Sequence, residues 1–229
     1  MAGREDSVKA IFDTQFISAC NHFGGIEIRM PLNGQDQFFN ADTLFSTFDK
    51  LFIVEFKSYR SSLRAENKKP KACQICCGLP ISPQIIPLHD ACHFAMWGNI
   101  GNELLHANYD IYRNCVCNTN ILPTCEGAAK SQLSASPKHM NVLAKLAGEN
   151  KAGLNSEQFQ IYLEWLLGSR GGNGTKEAEG NGDFNAAIYA TSSTHAVSGI
   201  SFKSRHELHV WSQGKRPDKR VDNWHGPSM

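Results

Sequence analysis

Residues 40–57, NADTLFSTFDKLFIVEFK, leave little choice of local structure. Two runs rich in β-branched and aromatic residues flank the polar pair Asp49-Lys50, the pattern of two strands about a short turn. Side chains alternate faces along a strand. Phe52, Val54 and Phe56 therefore share one face, and Ile53, Glu55 and Lys57 the other. A single Glu and a single Lys among so many apolar neighbours stand where charge is costly. Asp42 interrupts the preceding apolar run in the same way. Antiparallel pairing about the turn brings Asp42 close to Glu55 and Lys57. Two carboxylates beside an ammonium, at the end of a buried hairpin, can hold a hard divalent cation and a phosphate together.

Asp42, a hairpin-length gap and then Glu55-Phe56-Lys57 resemble the motif of the PD-(D/E)xK nuclease superfamily. Ala41 stands where the name of that motif has a proline. The resemblance covers roughly the first half of the chain. It implies an α/β protein with a restriction-endonuclease-like core (helix, three-stranded hairpin sheet, helix, strand), followed by a C-terminal helical and β extension. It also implies Mg²⁺ or Mn²⁺ held by Asp42, Glu55 and the backbone carbonyl of Phe56, with Lys57 completing the catalytic set. An acid on the first helix often assists such a site; Asp13 is the first candidate, Glu5 the second, and Glu27 a third.

The elements around the hairpin fit that order. Val8, Ile11, Phe12, Phe16 and Ala19 form an apolar stripe at helical spacing over Ser7–Phe23, stopped by Gly24-Gly25. Ile26–Met30 alternates as a short strand ended by Pro31, and Asn33-Gly34 marks a turn. After the hairpin, Ser61 to about Lys69 reads as a helix capped by Ser61 or Ser62. Arg60, Arg64 and Lys68 recur every fourth residue and so face one way, with Lys69 beside them. Such a face either grips a phosphate backbone or is simply solvated.

Eight cysteines stand at 20, 73, 76, 77, 92, 115, 117 and 125. No run is apolar enough to span a membrane, and Met1–Asp6 is not a signal peptide, so the chain reads as cytoplasmic. In a reducing compartment cysteines are free thiols or metal ligands before they are disulfides. Cys73 and Cys76 have the two-residue gap of a zinc knuckle, and a helix over His89–Trp97 would set His89 and His93 on one face with Cys92 beside them. Cys73, Cys76, His89, Cys92 and His93 are thus candidate ligands of a structural Zn²⁺, against the alternative of buried unligated thiols. Contact with substrate is a second role open to His89 and His93. Tyr109–Cys117 reads as the fourth core strand, closed by Pro123.

The remainder reads as an extension over residues 127–229, after a core over 1–126 that includes the Cys/His-rich segment 73–125. Pro137–Ala147 is a helix closed by Gly148, and Asn155 or Ser156 caps another with Phe159, Tyr162, Leu163 and Leu166 on its buried stripe. Gly168–Asp183 carries six of the chain's 19 glycines and no apolar residue larger than Ala, the composition of a loop or linker. Phe184–Ala190 and Ala196–Trp211 have β character, His206 and His209 lie three apart, and the tail is basic.

Hydrophobic residues make up 41% of the 229, enough for a packed core, and the formal net charge of +1 leaves nucleic-acid binding to local patches. The expected function is metal-dependent hydrolysis of phosphodiester bonds in nucleic acid, DNA first, as an endonuclease of defence, restriction or repair. No sequence-reading module is evident, so a protein partner for targeting is one expectation, low specificity another, and a homodimer is open. The alternative, from a different class, is a zinc-stabilised noncatalytic module binding nucleic acid or protein.

Overall fold

The computed structural model describes residues 3–24, 27–32, 41–47, 50–101, 103–130, 137–168, 186–192 and 195–202. It is a mixed α/β structure whose main sheet runs β1-β2-β3-β4-β5-β6. The strands are β1 (Glu27–Pro31), β2 (Thr43–Thr47), β3 (Lys50–Lys57), β4 (His93–Gly101), β5 (Leu104–Ile111) and β6 (Lys138–His139). All neighbours pair antiparallel except β3 and β4, which are parallel. A parallel pair needs a crossover. Here it consists of a 3₁₀ helix (Arg60–Lys68), α2 (Pro70–Ile81), a short 3₁₀ turn (Pro83–Ile85) and α3 (Ile86–Cys92).

Helix α1 (Gly3–Phe23) covers one face of the sheet. Val8, Phe12, Phe16 and Cys20, spaced four apart, are fully buried. Phe12 and Phe16 each meet Phe45 at 5.1 Å between ring centroids, and reach Phe56 and Phe52 at 6.2 and 5.9 Å. The Phe52/Val54/Phe56 face of β3 is thus the core face, as the alternation predicts. Gly98 permits this closeness on β4: a Cβ there would stand 2.7 Å from the Ser58 carbonyl and 2.8 Å from a Val8 methyl.

The opposite face of β3, with Glu55 and Lys57, lies beneath the crossover. Two elements there differ from the sequence expectation. His89–Trp97 is not one helix: α3 stops at Cys92 and β4 begins at His93. Phe94-Ala95-Met96-Trp97 is buried throughout, and a short, wholly apolar run has no periodicity to distinguish strand from helix. Tyr109–Cys117 is not one strand: β5 starts at Leu104 and ends at Ile111, and α4 (Tyr112–Val116) follows. The knuckle segment is the middle of α2, with Pro70 in its first turn, where the missing N–H is harmless.

Contacts cross the boundary read at residue 126. Helix α5 (Met140–Gly148) packs on α1, β6 pairs with β5, and Leu154 bridges to Leu51. Helix α6 (Ser156–Gly168) packs on α3, its start capped by Asn155, whose side chain accepts from the Gln158 N–H at 2.8 Å. A separate hairpin, β7 (Ala186–Ser192) and β8 (His195–Phe202), pairs within itself. The glycine-rich stretch beyond Gly168, His206, His209 and the basic tail lie outside the described residues.

Candidate metal centre

The β2–β3 hairpin brings Asp42, Glu55 and Lys57 to one place. Thr43 pairs with Val54, so Asp42 stands one step beyond, opposite Glu55. The Asp42 N–H donates to the Val54 carbonyl at 2.9 Å, and Asp42 Oδ2 accepts from the Phe56 N–H at 2.5 Å. The side chain is therefore fixed by the backbone of the strand carrying the other two residues. The Phe56 N–H thus serves Asp42 while its ring goes to the core.

Glu55 is completely buried, and its Oε1 receives two ammonium groups. Lys57 Nζ is in direct contact with it, and Lys69 Nζ lies at 2.5 Å. Both lysines also reach Glu66 Oε1, at 3.0 and 3.3 Å. Glu66, equally buried, accepts on Oε2 from the Tyr112 hydroxyl at 2.8 Å. Sequence reading missed Glu66, which sits within the 3₁₀ helix three residues after buried Leu63. A signal was present: with three residues per turn, Leu63 and Glu66 face the same way.

The same geometry corrects the basic stripe. In a 3₁₀ helix, residues four apart turn by about a third of a circle at each step. Arg60, Arg64 and Lys68 are all exposed but cannot share one face. Lys69 follows the helix and turns inward to the carboxylates instead.

Burial, reinforced by the charges of Glu66 and Asp42, pushes the Glu55 carboxyl up to about 8, with the two lysines opposing. For Glu66 burial is outweighed by Lys57, Lys69 and hydrogen bonds from the Glu55 carboxyl and the Tyr112 hydroxyl, which hold it well below the usual carboxylate range. Burial would lower the Lys57 ammonium, but Glu55 and Glu66 together raise it, so Lys57 is a fixed cation rather than a base.

Among the helix acids, Glu5 is the one at the site. Burial raises its carboxyl, and the charges it feels are those of Lys57, Asp42 and Lys69. Asp13 lies eight residues further along α1, about 12 Å of helix rise from Glu5. Glu27 is on β1.

The donor set fits a hard divalent cation. Glu55 Oε2 is buried and takes no hydrogen bond from an amide, hydroxyl or ammonium donor, and the Glu55 carboxyl shares a hydrogen bond with that of Glu66. Asp42 stands across the hairpin and Glu5 at its margin. Oxygen donors of this kind suit Mg²⁺ or Mn²⁺.

The expected zinc ligands are divided among three places. Cys73 pairs with Cys125 and Cys76 with Cys117 as disulfides, with Cα separations of 5.5 and 5.3 Å, where the sequence reading favours thiols. Gly127 lets the loop carrying these partners lie against α2, since a Cβ there would meet the Cys76 carbonyl and Cys77 Cα at 2.6 Å. Cys77 Sγ lies 3.8 Å from Cys73 and 3.7 Å from Cys125. With the Cys73–Cys125 bond reduced, Cys73, Cys77 and Cys125 are a group that could hold a metal such as zinc. Cys92 is buried alone as a thiol, and Cys115 hydrogen-bonds to its own helix. His89 and His93 go elsewhere: each Nδ1 meets the Tyr162 hydroxyl, at 2.9 and 2.6 Å. Tyr162 comes from α6, some seventy residues away, which no spacing rule could pair with them. Among the described residues no helix is long and apolar enough to cross a membrane.

No protein-family model, curated protein or solved structure matches the chain.

Proposed function

We propose that this protein is a metal-dependent nuclease of the PD-(D/E)xK type, hydrolysing phosphodiester bonds in nucleic acid, DNA first, as an endonuclease of defence, restriction or repair. The observation that carries this reading is the convergence of Asp42, the fully buried Glu55 and Lys57 at one hairpin end. The order of helix, three antiparallel strands, crossover and fourth strand is also the one the resemblance implies.

Asp42 and Glu55 would hold Mg²⁺ or Mn²⁺, assisted by Glu5 and the Phe56 carbonyl. The bound ion supplies an acidified water and charge neutralisation at the phosphate. Lys57, held cationic by two glutamates, would place its ammonium beside the phosphate oxygens as negative charge gathers there. Glu66 would position both lysines, itself oriented by Tyr112. Lys69, nearer the surface with 22% of its side chain exposed, would turn from Glu55 to an incoming phosphate. A targeting partner or a homodimer would be companions to test, and the two disulfides stand against the reducing cytoplasm that the sequence suggests.

Cleavage of plasmid and oligonucleotide DNA with Mg²⁺, Mn²⁺ or EDTA, for wild type and Asp42→Ala side by side, tests this. Metal-dependent cleavage lost in the variant is expected; equal cleavage by both would overturn the assignment.

The cysteine group favours a second reading, a zinc-stabilised binding module without catalysis. Under reducing conditions it would bind stoichiometric zinc, lost in Cys73→Ser and Cys77→Ser, with no cleavage of any nucleic acid.

A further inference from the structure

A groove of about 430 Å³ opens beside the candidate metal centre, lined by Tyr59, Arg60, Ser61, Trp97, Asn99 and Asn108. Its place follows from strand register. Trp97 pairs with Lys57 on one side and with Asn108 on the other. Paired residues share a face of the sheet. The groove therefore continues the face that carries Glu55 and Lys57, one strand over, about 5 Å away.

Its lining has a distinct chemistry. None of these six side chains is acidic, and Arg60 brings the single charge. The Arg60 guanidinium lies over the Trp97 ring at 5.7 Å. Trp97 is only 3% exposed, whereas Arg60 is on the surface. The indole thus acts as a floor that orients a planar cation, leaving its outer face free to stack on a base or meet a phosphate. Asn99, Asn108 and Ser61 offer amide and hydroxyl groups of both hydrogen-bonding senses, suited to base edges and sugars. The volume is at the lower end of the range for small-ligand sites, enough for one nucleotide. It does not admit both strands of a duplex.

We propose that this groove holds one unpaired nucleotide adjoining the scissile phosphate, so that the substrate is single-stranded, or opened, at the cut. The proposal rests on the nuclease reading and names the substrate class of that same site. Arg60 stacks on the nucleotide, and the two asparagines meet its edge.

The test is fluorescence anisotropy in EDTA, where no strand is cut, with a short fluorescein-labelled single strand and the same sequence as a blunt duplex. The single strand should bind roughly tenfold more tightly than the duplex, the scale of one base–side-chain stack. Arg60→Ala should remove most of that preference, and Arg60→Lys, which keeps charge without the plane, should not restore it. Asn99→Ala, at an exposed position, should weaken single-strand binding less. Equal binding of both probes, or equal weakening of both by Arg60→Ala, would overturn the groove. Parallel cleavage assays with Mg²⁺ separate the two ideas. Cleavage without strand preference removes only the groove. Strand-selective binding without cleavage removes the nuclease reading and leaves the groove as a binding site.

Discussion

Two buried polar clusters lie under the crossover, joined through Tyr112, and they are built on opposite principles. Around Glu55 there are two carboxyl groups and two ammonium groups in contact, with Asp42 nearby. Around Tyr162 each ring nitrogen nearest the hydroxyl has its partner. His89 Nε2 accepts from the Arg113 N–H at 3.3 Å, so its Nδ1 carries the proton and donates to Tyr162. The Tyr162 hydroxyl then donates to His93 Nδ1. Burial, with His93 and Arg113, holds the His89 imidazole far below its ordinary value and so uncharged. Tyr112 links the clusters, its hydroxyl on Glu66 and its ring stacked on His93 at 4.5 Å. Desolvating an ion pair often costs as much as the pairing returns, whereas a satisfied neutral network is a net gain. The first cluster is what a site retains for chemistry; the second is what a core retains for stability.

The largest expected effect lies in the charged cluster. Glu55→Gln should lower metal-dependent cleavage by about a thousandfold, the scale of losing one electrostatic group at a reacting centre. Its folded circular dichroism spectrum should persist. Tyr162→Phe should do the reverse, costing about 3 kcal/mol in denaturant melts because two buried ring nitrogens lose their partner. Its folded fraction should cleave at the wild-type rate. Similar phenotypes for the two variants would erase the contrast between the clusters.

Glu5→Ala should slow cleavage by roughly tenfold to a hundredfold, as expected of a residue supporting a metal site. Asp13→Ala should leave cleavage unchanged. Reversal of that pair would move the metal away from the first turn of α1.

The smallest effect is in pH dependence, and the clusters give opposite signs. Glu55 is raised on folding, so its contribution is complete below its ordinary value of 4.5 and is lost as pH rises towards about 8. His89 is lowered, so its contribution is complete above 6.5 and is lost as pH falls below that. Metal-free melting temperatures should therefore decline on both sides, and Glu55→Gln should flatten the alkaline limb only. Stabilisation by Mg²⁺ should grow as pH approaches 8, since ligation needs the ionised carboxylate. A Mg²⁺ shift that shrinks over that range would exclude Glu55 as a ligand.

Local pattern by itself determined α1, the two strands of the hairpin, the capped helices at 140 and 156, and the convergence of Asp42, Glu55 and Lys57. Each follows from a period of 3.6 or 2 residues, or from a short turn, in which neighbours in sequence are neighbours in space. Tertiary structure decided the rest. The run from His93 to Trp97 is apolar on every side, and only its pairing with β3 makes it a strand. Arg60, Arg64 and Lys68 fit a helical stripe until the 3₁₀ geometry around buried Leu63 and Glu66 turns them apart. Cys73 and Cys76 have a knuckle's spacing, yet their partners, Cys125 and Cys117, are set by a loop far along the chain. His89 and His93 were legible as a pair, but Tyr162, which makes them a structural one, arrives from a helix beyond the boundary that composition suggested. Local spacing carries no information about such long-range partners, because packing brings them together only after the elements have formed.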